Sequence, residues 1–232
     1  MFLTKKIISH RGIHNNQTIY ENTLEAFQLA KKKRYIIELD IRITKDNQII
    51  VFHDENTKRI TKEDRIVEKS TYQELNQQNI IHIPTLEEVL NLINGKVPLL
   101  IEIKQFQKVG KLEQQLMMIL NNYSGDYAIQ SFNPKTLLWF KRHYPSILRG
   151  QLSSQYKNKK ISKVKKMVLK KMLFNSLTRP DFISYKYNEL SLGKIKKYQQ
   201  KKILVLGWTI KTKQEYDKYI KYYDNLICEK FL

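Results

Sequence analysis

Histidines and carboxylates stand at the ends of three apolar runs in the first 54 residues: Ile7-Ile8-Ser9-His10-Arg11-Gly12, Ile36-Ile37-Glu38-Leu39-Asp40 and Ile49-Ile50-Val51-Phe52-His53-Asp54. A strand alternates its side chains with period two, so Glu38 and Asp40 point to one face. A parallel strand covered on both sides cannot solvate two carboxylates there, and something cationic must lie between them. A divalent ion held by oxygens is the natural candidate, with His10 and His53 beside it as a pair of proton carriers. In Glu102-Ile103-Lys104 the two charged side chains share a face, which lets Glu102 join Glu38 and Asp40 as a third oxygen ligand. Three carboxylates suit a hard ion such as Mg2+ or Ca2+, and no His-plus-Cys spacing suggests zinc. Arg11 and Lys104 then remain for the anionic part of a substrate, Arg11 with the fork geometry that grips phosphate oxygens in pairs. The competing reading is a salt-bridge cluster of the three carboxylates with Arg11, Arg42 and Lys104.

Such groups need strands that end together. Apolar, β-branched runs recur at 6–9, 35–41, 49–52, 97–103, 127–130, 147–152, 182–185, 203–208 and 226–228. Helix-like stretches lie between most of them, at 22–33, 85–93, 111–121, 134–143, 192–201 and 213–222. Alternation of this kind predicts a parallel sheet, and about eight repeats predict an α/β fold closed as a single (β/α)8 TIM-type barrel. Nine runs are one too many, and the link from Asp40 to Ile49 is too short for a helix, so a local hairpin or loop is expected near 42–44. The polar, poorly periodic stretch 53–84 reads as a short insertion after the third strand, over one mouth. Thr85 and Glu88 match a capping box for the helix that follows. Barrel enzymes carry their reactive groups at the carboxyl ends of strands. Polar residues fall there repeatedly: His10, Glu38, Asp40, His53, Glu102, Lys104, Ser131, Trp208 and Glu229. Trp208 either lines the substrate pocket or caps the core.

His10-Arg11-Gly12, Glu21-Asn22-Thr23 with Ala26-Phe27, Glu38-x-Asp40, Thr44-Lys45-Asp46, His53-Asp54, Pro84-Thr85-Leu86-Glu87-Glu88 and Glu102-x-Lys104 together resemble the glycerophosphodiester phosphodiesterase family. The resemblance is dense over residues 7–104 and thinner beyond, through Gln130-Ser131-Phe132, Gly207-Trp208-Thr209 and Asp224-Asn225-Leu226-Ile227. The chain then runs Cys228-Glu229-Lys230-Phe231 where many members of that family have a Thr-Asp-Arg-Pro-like ending. The resemblance implies metal-dependent hydrolysis of glycerophosphodiesters to an alcohol and glycerol 3-phosphate. It implies His10 and His53 as general acid and base, Glu38, Asp40 and Glu102 as metal ligands, and Arg11 and Lys104 as phosphate holders. A phospholipase or a polyglycerophosphate-trimming enzyme at a membrane surface is the neighbouring alternative. A non-catalytic basic protein that binds membrane or nucleic acid is the alternative from another class.

The 232 residues carry a formal charge of +20, which favours anionic partners without choosing among them. No linker or composition break divides the chain, and one domain spanning 1–232 is expected. Cys228 is the only cysteine, so no intramolecular disulfide forms. With no apolar stretch of signal-peptide or membrane-spanning length, a cytoplasmic location is expected, with peripheral membrane contact open. The segment 155–175 holds eight lysines and no acidic residue, and Ile161, Val164, Met167, Val168, Met172 and Leu173 recur within it at near-helical spacing. A basic amphipathic helix is expected there, either an ordinary barrel helix or a contact with anionic membrane. No RNA- or DNA-binding signature interleaves aromatics with the basic residues, and no nucleic-acid partner is expected.

Overall fold

The computed structural model describes residues 1–78, 80–104, 108–157, 161–229 and 231. Among the described residues nine strands run in chain order: β1 Ile8–His10, β2 Ile36–Ile43, β3 Ile49–Val51, β4 Leu99–Ile103, β5 Tyr127–Ser131, β6 Arg149–Ser153, β7 Phe182–Lys186, β8 Leu204–Ile210 and β9 Asn225–Cys228. The helices are α1 Leu24–Lys32, α2 Lys58–Thr61, α3 Tyr72–Leu75, α4 Leu86–Ile93, α5 Lys111–Leu120, α6 Pro134–His143, α7 Lys163–Lys170, α8 Asn175–Thr178, α9 Leu192–Gln200 and α10 Lys213–Tyr219. Pairing runs β1-β9-β8-β7-β6-β5-β4-β2, and β1 also pairs with β2, so eight parallel strands close a barrel. The ninth run is β3, which folds back antiparallel on the far end of β2 as an arm outside the ring.

Alternation along the strands divides the barrel interior into two layers. Ile8, Ile36, Leu100, Ala128, Phe182, Leu206 and Ile227 form one dry cluster in the lower half, with Leu3 plugging its end. Two residues further along β1, β2, β4 and β9 come His10, Glu38, Glu102 and Glu229, so the polar layer lies one pleat above the apolar one. Parallel register then sets the neighbours: His10 is opposite Glu38, Asp40 opposite Glu102, and Glu102 opposite Gln130. Outside the ring, helices bury their apolar stripes against the strands. In α4 these are Leu86, Val89, Leu90 and Ile93, and its start is fixed by the expected capping box of Thr85 and Glu88.

Two glycines are required by close approaches. At Gly12 the backbone is left-handed (φ 81°), and a Cβ there would lie 2.8 Å from Ala26 of α1. A Cβ on Gly150 of β6 would run into the Phe182 ring, which occupies that space inside the barrel.

The insertion after β3 carries a small core of its own, in which Phe52, Ile60, Val67, Leu75 and Ile83 pack with Ile50. The lysine-rich segment departs from the expected single helix. Residues 158–160 lie outside the described residues, α7 covers only Lys163–Lys170, and Met172, at φ 52°, breaks the chain into a turn before α8. No residue of α7 is buried.

Replacing Gly150 with Ala is expected to lower the unfolding free energy by about 1–3 kcal/mol through overpacking, as read by urea denaturation. Combined with Phe182→Leu, the loss should be smaller than the sum of the two single changes; strict additivity would rule out this packing account.

Candidate active site

The register of β2 and β4 brings Glu38, Asp40 and Glu102 together inside the barrel, where one oxygen from each lies within 4.8 Å of the others. All three are buried, Asp40 completely. Taking carboxylates out of water costs several kcal/mol each unless cations and hydrogen bonds replace the solvent. Lys104 Nζ lies 3.0 Å from Asp40 Oδ1 and 2.6 Å from Glu102 Oε1, and Arg11 Nε lies 3.0 Å from Asp40 Oδ2. Asn22 Nδ2 donates to Asp40 Oδ2 at 2.9 Å, and the Arg11 amide donates to Glu38 Oε2 at 3.2 Å.

The protonation tendencies follow from this arrangement. Burial opposes ionisation of Asp40, but Lys104 and Arg11 outweigh it and hold the carboxyl well below its usual range. Burial, reinforced by the charges of Asp40 and Glu102, pushes Glu38 well above its usual range. Glu102 also rises, because burial outweighs its pairing with Lys104. Three carboxylates thus face two cations, one of which, Arg11, is shared with Glu21. A dry, all-oxygen cluster short of positive charge fits a hard divalent ion. Arg42 is not part of it: its Nε and Nη2 donate to the His53 carbonyl at 3.0 and 2.8 Å, which removes Arg42 from the expected salt-bridge alternative.

Each candidate proton carrier has a carboxylate behind it. His10, at the end of β1, places Nδ1 2.9 Å from Glu229 Oε2. Burial, with Arg11 next to it, lowers the His10 pKa to about 4, while the bond from His10 holds Glu229 at about 2. At neutral pH the ring is therefore uncharged, its proton assigned to Nδ1 by the ionised Glu229, and Nε2 keeps a lone pair. His53, just beyond β3, places Nδ1 2.6 Å from Asp54 Oδ1. Burial works against ionisation of Asp54, but the bonds from His53 and Arg59 hold it well below its usual range.

Arg59 ties the two sides of the mouth together. Its Nε donates to Asp54 Oδ2 and its Nη2 to Glu21 Oε1, both at 2.6 Å, and Arg11 Nη1 reaches the same Glu21 oxygen at 2.7 Å. An unbroken chain of charge-assisted contacts links His53 to Asp40 through Asp54, Arg59, Glu21 and Arg11. Trp208, in the second half of β8, packs on the apolar layer and meets Phe132 edge-on at 5.7 Å between ring centres, half-buried at the mouth.

The eight residues singled out from sequence therefore reach one mouth of the barrel, but Lys104 lies among the carboxylates rather than apart from them. Arg59 and the partner role of Glu229 were not read from the sequence. Glu229 stands 219 residues from His10 and meets it only because β9 closes on β1. The arginine signal was the five-residue step from Asp54 within an otherwise aperiodic loop.

A sequence profile of the Glycerophosphoryl diester phosphodiesterase family matches residues 10–228. YhdW of Bacillus subtilis is 36% identical over 154 residues, 61% of this chain and 63% of its own length. The glycerophosphodiester phosphodiesterase of Caldanaerobacter subterraneus is 32% identical over 161 residues, 63% of this chain and 65% of that protein. The matched stretch thus spans a little under two thirds of these curated relatives. Among solved structures, the Oleispira antarctica phosphodiesterase in complex with the product sn-glycerol-3-phosphate superposes with a TM-score of 0.81 at 20% identity, covering 96% of this chain and 92% of that one.

The Glu21 pKa falls from 4.5 to about 2: burial works against ionisation, but Arg59 and Arg11 outweigh it. A depressed carboxyl contributes stability that is complete above its unfolded value and is lost as pH falls through the folded one. Wild type is therefore expected to lose about 2 kcal/mol more than Glu21→Gln between pH 4.5 and 2, with the curves converging at the acid end. Urea unfolding across that range checks this, and parallel curves would remove Glu21 from the account.

Proposed function

The chain belongs to the glycerophosphoryl diester phosphodiesterase family, and from that membership and the geometry of the mouth we propose that it hydrolyses glycerophosphodiesters to an alcohol and glycerol 3-phosphate. The observation that carries the reading is the three-carboxylate cluster sharing one mouth with the His10–Glu229 and His53–Asp54 pairs. Glu38, Asp40 and Glu102 would hold a divalent ion, Mg2+ or Ca2+. Such an ion, when bound, supplies positive charge to the non-bridging phosphoryl oxygens.

The chain's own groups do the rest. Arg11 and Lys104 hold phosphate oxygens, Arg11 in the orientation that Glu21 enforces. His10 Nε2 accepts a proton from the attacking water, because the ring is neutral and its Nδ1–H is held by Glu229. The attacking oxygen bonds to phosphorus as the bond to the alcohol oxygen breaks, and His53 delivers a proton to that leaving oxygen. Asp54 stabilises the imidazolium that donates it. Trp208 flanks the departing alcohol. A lipid-borne or polyglycerophosphate substrate is the second reading, favoured by the exposed lysines of α7, whose last turn meets the carboxyl end of β6 where Ser153 Oγ donates to the Leu169 carbonyl.

Release of glycerol 3-phosphate from glycerophosphocholine, glycerophosphoethanolamine and glycerophosphoglycerol is expected with Mg2+ or Ca2+ and not with EDTA. His10→Ala and His53→Ala should each lower turnover by about 10²–10⁴-fold. With a p-nitrophenyl ester of glycerol 3-phosphate, whose leaving group needs little protonation, His53→Ala should recover much of its rate and His10→Ala should not. Recovery in the opposite variant would exchange the two roles, and EDTA-resistant turnover would overturn the metal assignment.

A further inference from the structure

An ordinary barrel helix turns its apolar stripe inward, as α4 does. The segment from α7 to α8 does the reverse. Among the described residues ten large hydrophobic side chains are exposed, and five of them, Val164, Met167, Leu173, Phe174 and Leu177, fall in this one segment. Val164 is 68% exposed and Leu177 55%. At about 100° per residue, Met167, Val164 and Val168 form one stripe, bordered by Lys163 and Lys170 on one side and Lys165 on the other. The stretch from 155 to 178 contains no acidic residue to neutralise these lysines. Among the described residues, the ion pairs of the basic side chains lie elsewhere, at positions such as Lys186 and Lys213.

At α7 this surface adjoins the barrel mouth, where Ser153 at the end of β6 donates to the Leu169 carbonyl, and at α8 it descends to the amino end of β6, where Arg149 donates to the Thr178 and Arg179 carbonyls. A groove of about 450 Å3 runs beside α7 and α8, lined by Phe132, Leu138, Tyr156, Leu169, Phe174 and Leu177 among others. Phe132 is also the ring that meets Trp208, and it meets Tyr156 edge-on at 6.1 Å between ring centres. The apolar path from the exposed face thus leads to the end of the barrel where the carboxylates and histidines lie.

We propose that α7 and the turn that follows it form a docking surface for an anionic phospholipid bilayer, which sets the barrel mouth against the membrane. Solvent-facing aliphatic side chains bordered by lysines match an interface that is apolar beneath an anionic layer, since lysine stems lie along apolar surface while their ammonium groups reach the headgroups. A nucleic acid would use the lysines but leave Val164, Met167 and Leu173 without a partner, because it offers phosphates and stacking faces rather than aliphatic depth. The proposal does not depend on the hydrolytic activity.

Vesicle flotation of the full chain tests it without any turnover measurement. The probes are pure phosphatidylcholine vesicles and equimolar phosphatidylcholine–phosphatidylglycerol vesicles. Wild type should float with the second and not the first. Changing Lys163, Lys165 and Lys170 together to Gln should weaken binding by about a hundredfold, and changing Val164, Met167 and Leu173 together to Ser by about tenfold or more. Removing the same charge from α9, by changing Lys194, Lys196 and Lys197 to Gln, should change it by less than about threefold. Eight of the nine positions are exposed and Lys170 is half-buried, and circular dichroism checks that each variant is folded. Equal loss from the α7 and α9 lysine variants, with none from the apolar one, would reduce the effect to general attraction by the +20 charge and overturn the proposal. So would failure to bind the anionic vesicles, or binding to poly(U) RNA that the apolar variant leaves intact while vesicle binding is absent.

Discussion

Three carboxylates cannot share a water-poor barrel interior unless positive charge is brought to them, and the architecture of this protein follows from meeting that demand. Lys104 comes from the strand that carries Glu102, and Arg11 from the turn that ends β1. Asn22 is set before α1 in a left-handed conformation (φ 59°) that lets its amide reach Asp40. The apolar layer beneath, from Ile8 round to Ile227, raises the cost of any uncompensated charge above it. The motif that binds the acidic cluster is thus spread over β1, β2, β4 and the first loop, and each of those segments is fixed by the barrel's hydrogen-bond register.

Much of this was legible in the chain because it obeys local periodicity. Glu38 and Asp40 share a face by the period of a strand, and Glu102 and Lys104 do the same. Alternating runs and helices predicted the barrel, and Thr85 with Glu88 marked a helix start that the structure bears out. What escaped was of a different kind. Glu229 meets His10 through ring closure, and Arg59 reaches Glu21 across 38 residues of chain, so no periodicity announces either contact. Nine apolar runs could not reveal that 49–51 was the outsider, since a short buried antiparallel arm and a barrel strand have the same composition. In 155–175 the spacing was helical but carried no sign of which way the stripe would face, and Met172 ended the pattern where spacing alone would have continued it.

The insertion is more than a loop over the opening. Its own cluster of Phe52, Ile60, Val67, Leu75 and Ile83 fixes the short helix that presents Arg59, and Arg59 joins the carboxylate behind His53 to the one that orients Arg11. Packing in the insertion and electrostatics in the barrel are therefore coupled through one guanidinium. Its two 2.6 Å contacts are charge-assisted, and they hold Glu21 and Asp54 ionised under acid conditions where free carboxyls would take up protons.

The antiparallel arm β3 gives the two histidines different mechanical supports. His10 belongs to a strand locked on both edges by the ring, whereas His53 follows a strand paired with β2 on one edge and held on the other by a single bridge from Ile50 to Thr85, and it is backed by an insertion with a separate core. The barrel can stay rigid around its acidic cluster while the far side of the cleft changes in length, sequence or lean. Variation in that arm is a way for evolution to refit the cleft to differently sized ligands without disturbing the eight strands that hold everything else in register.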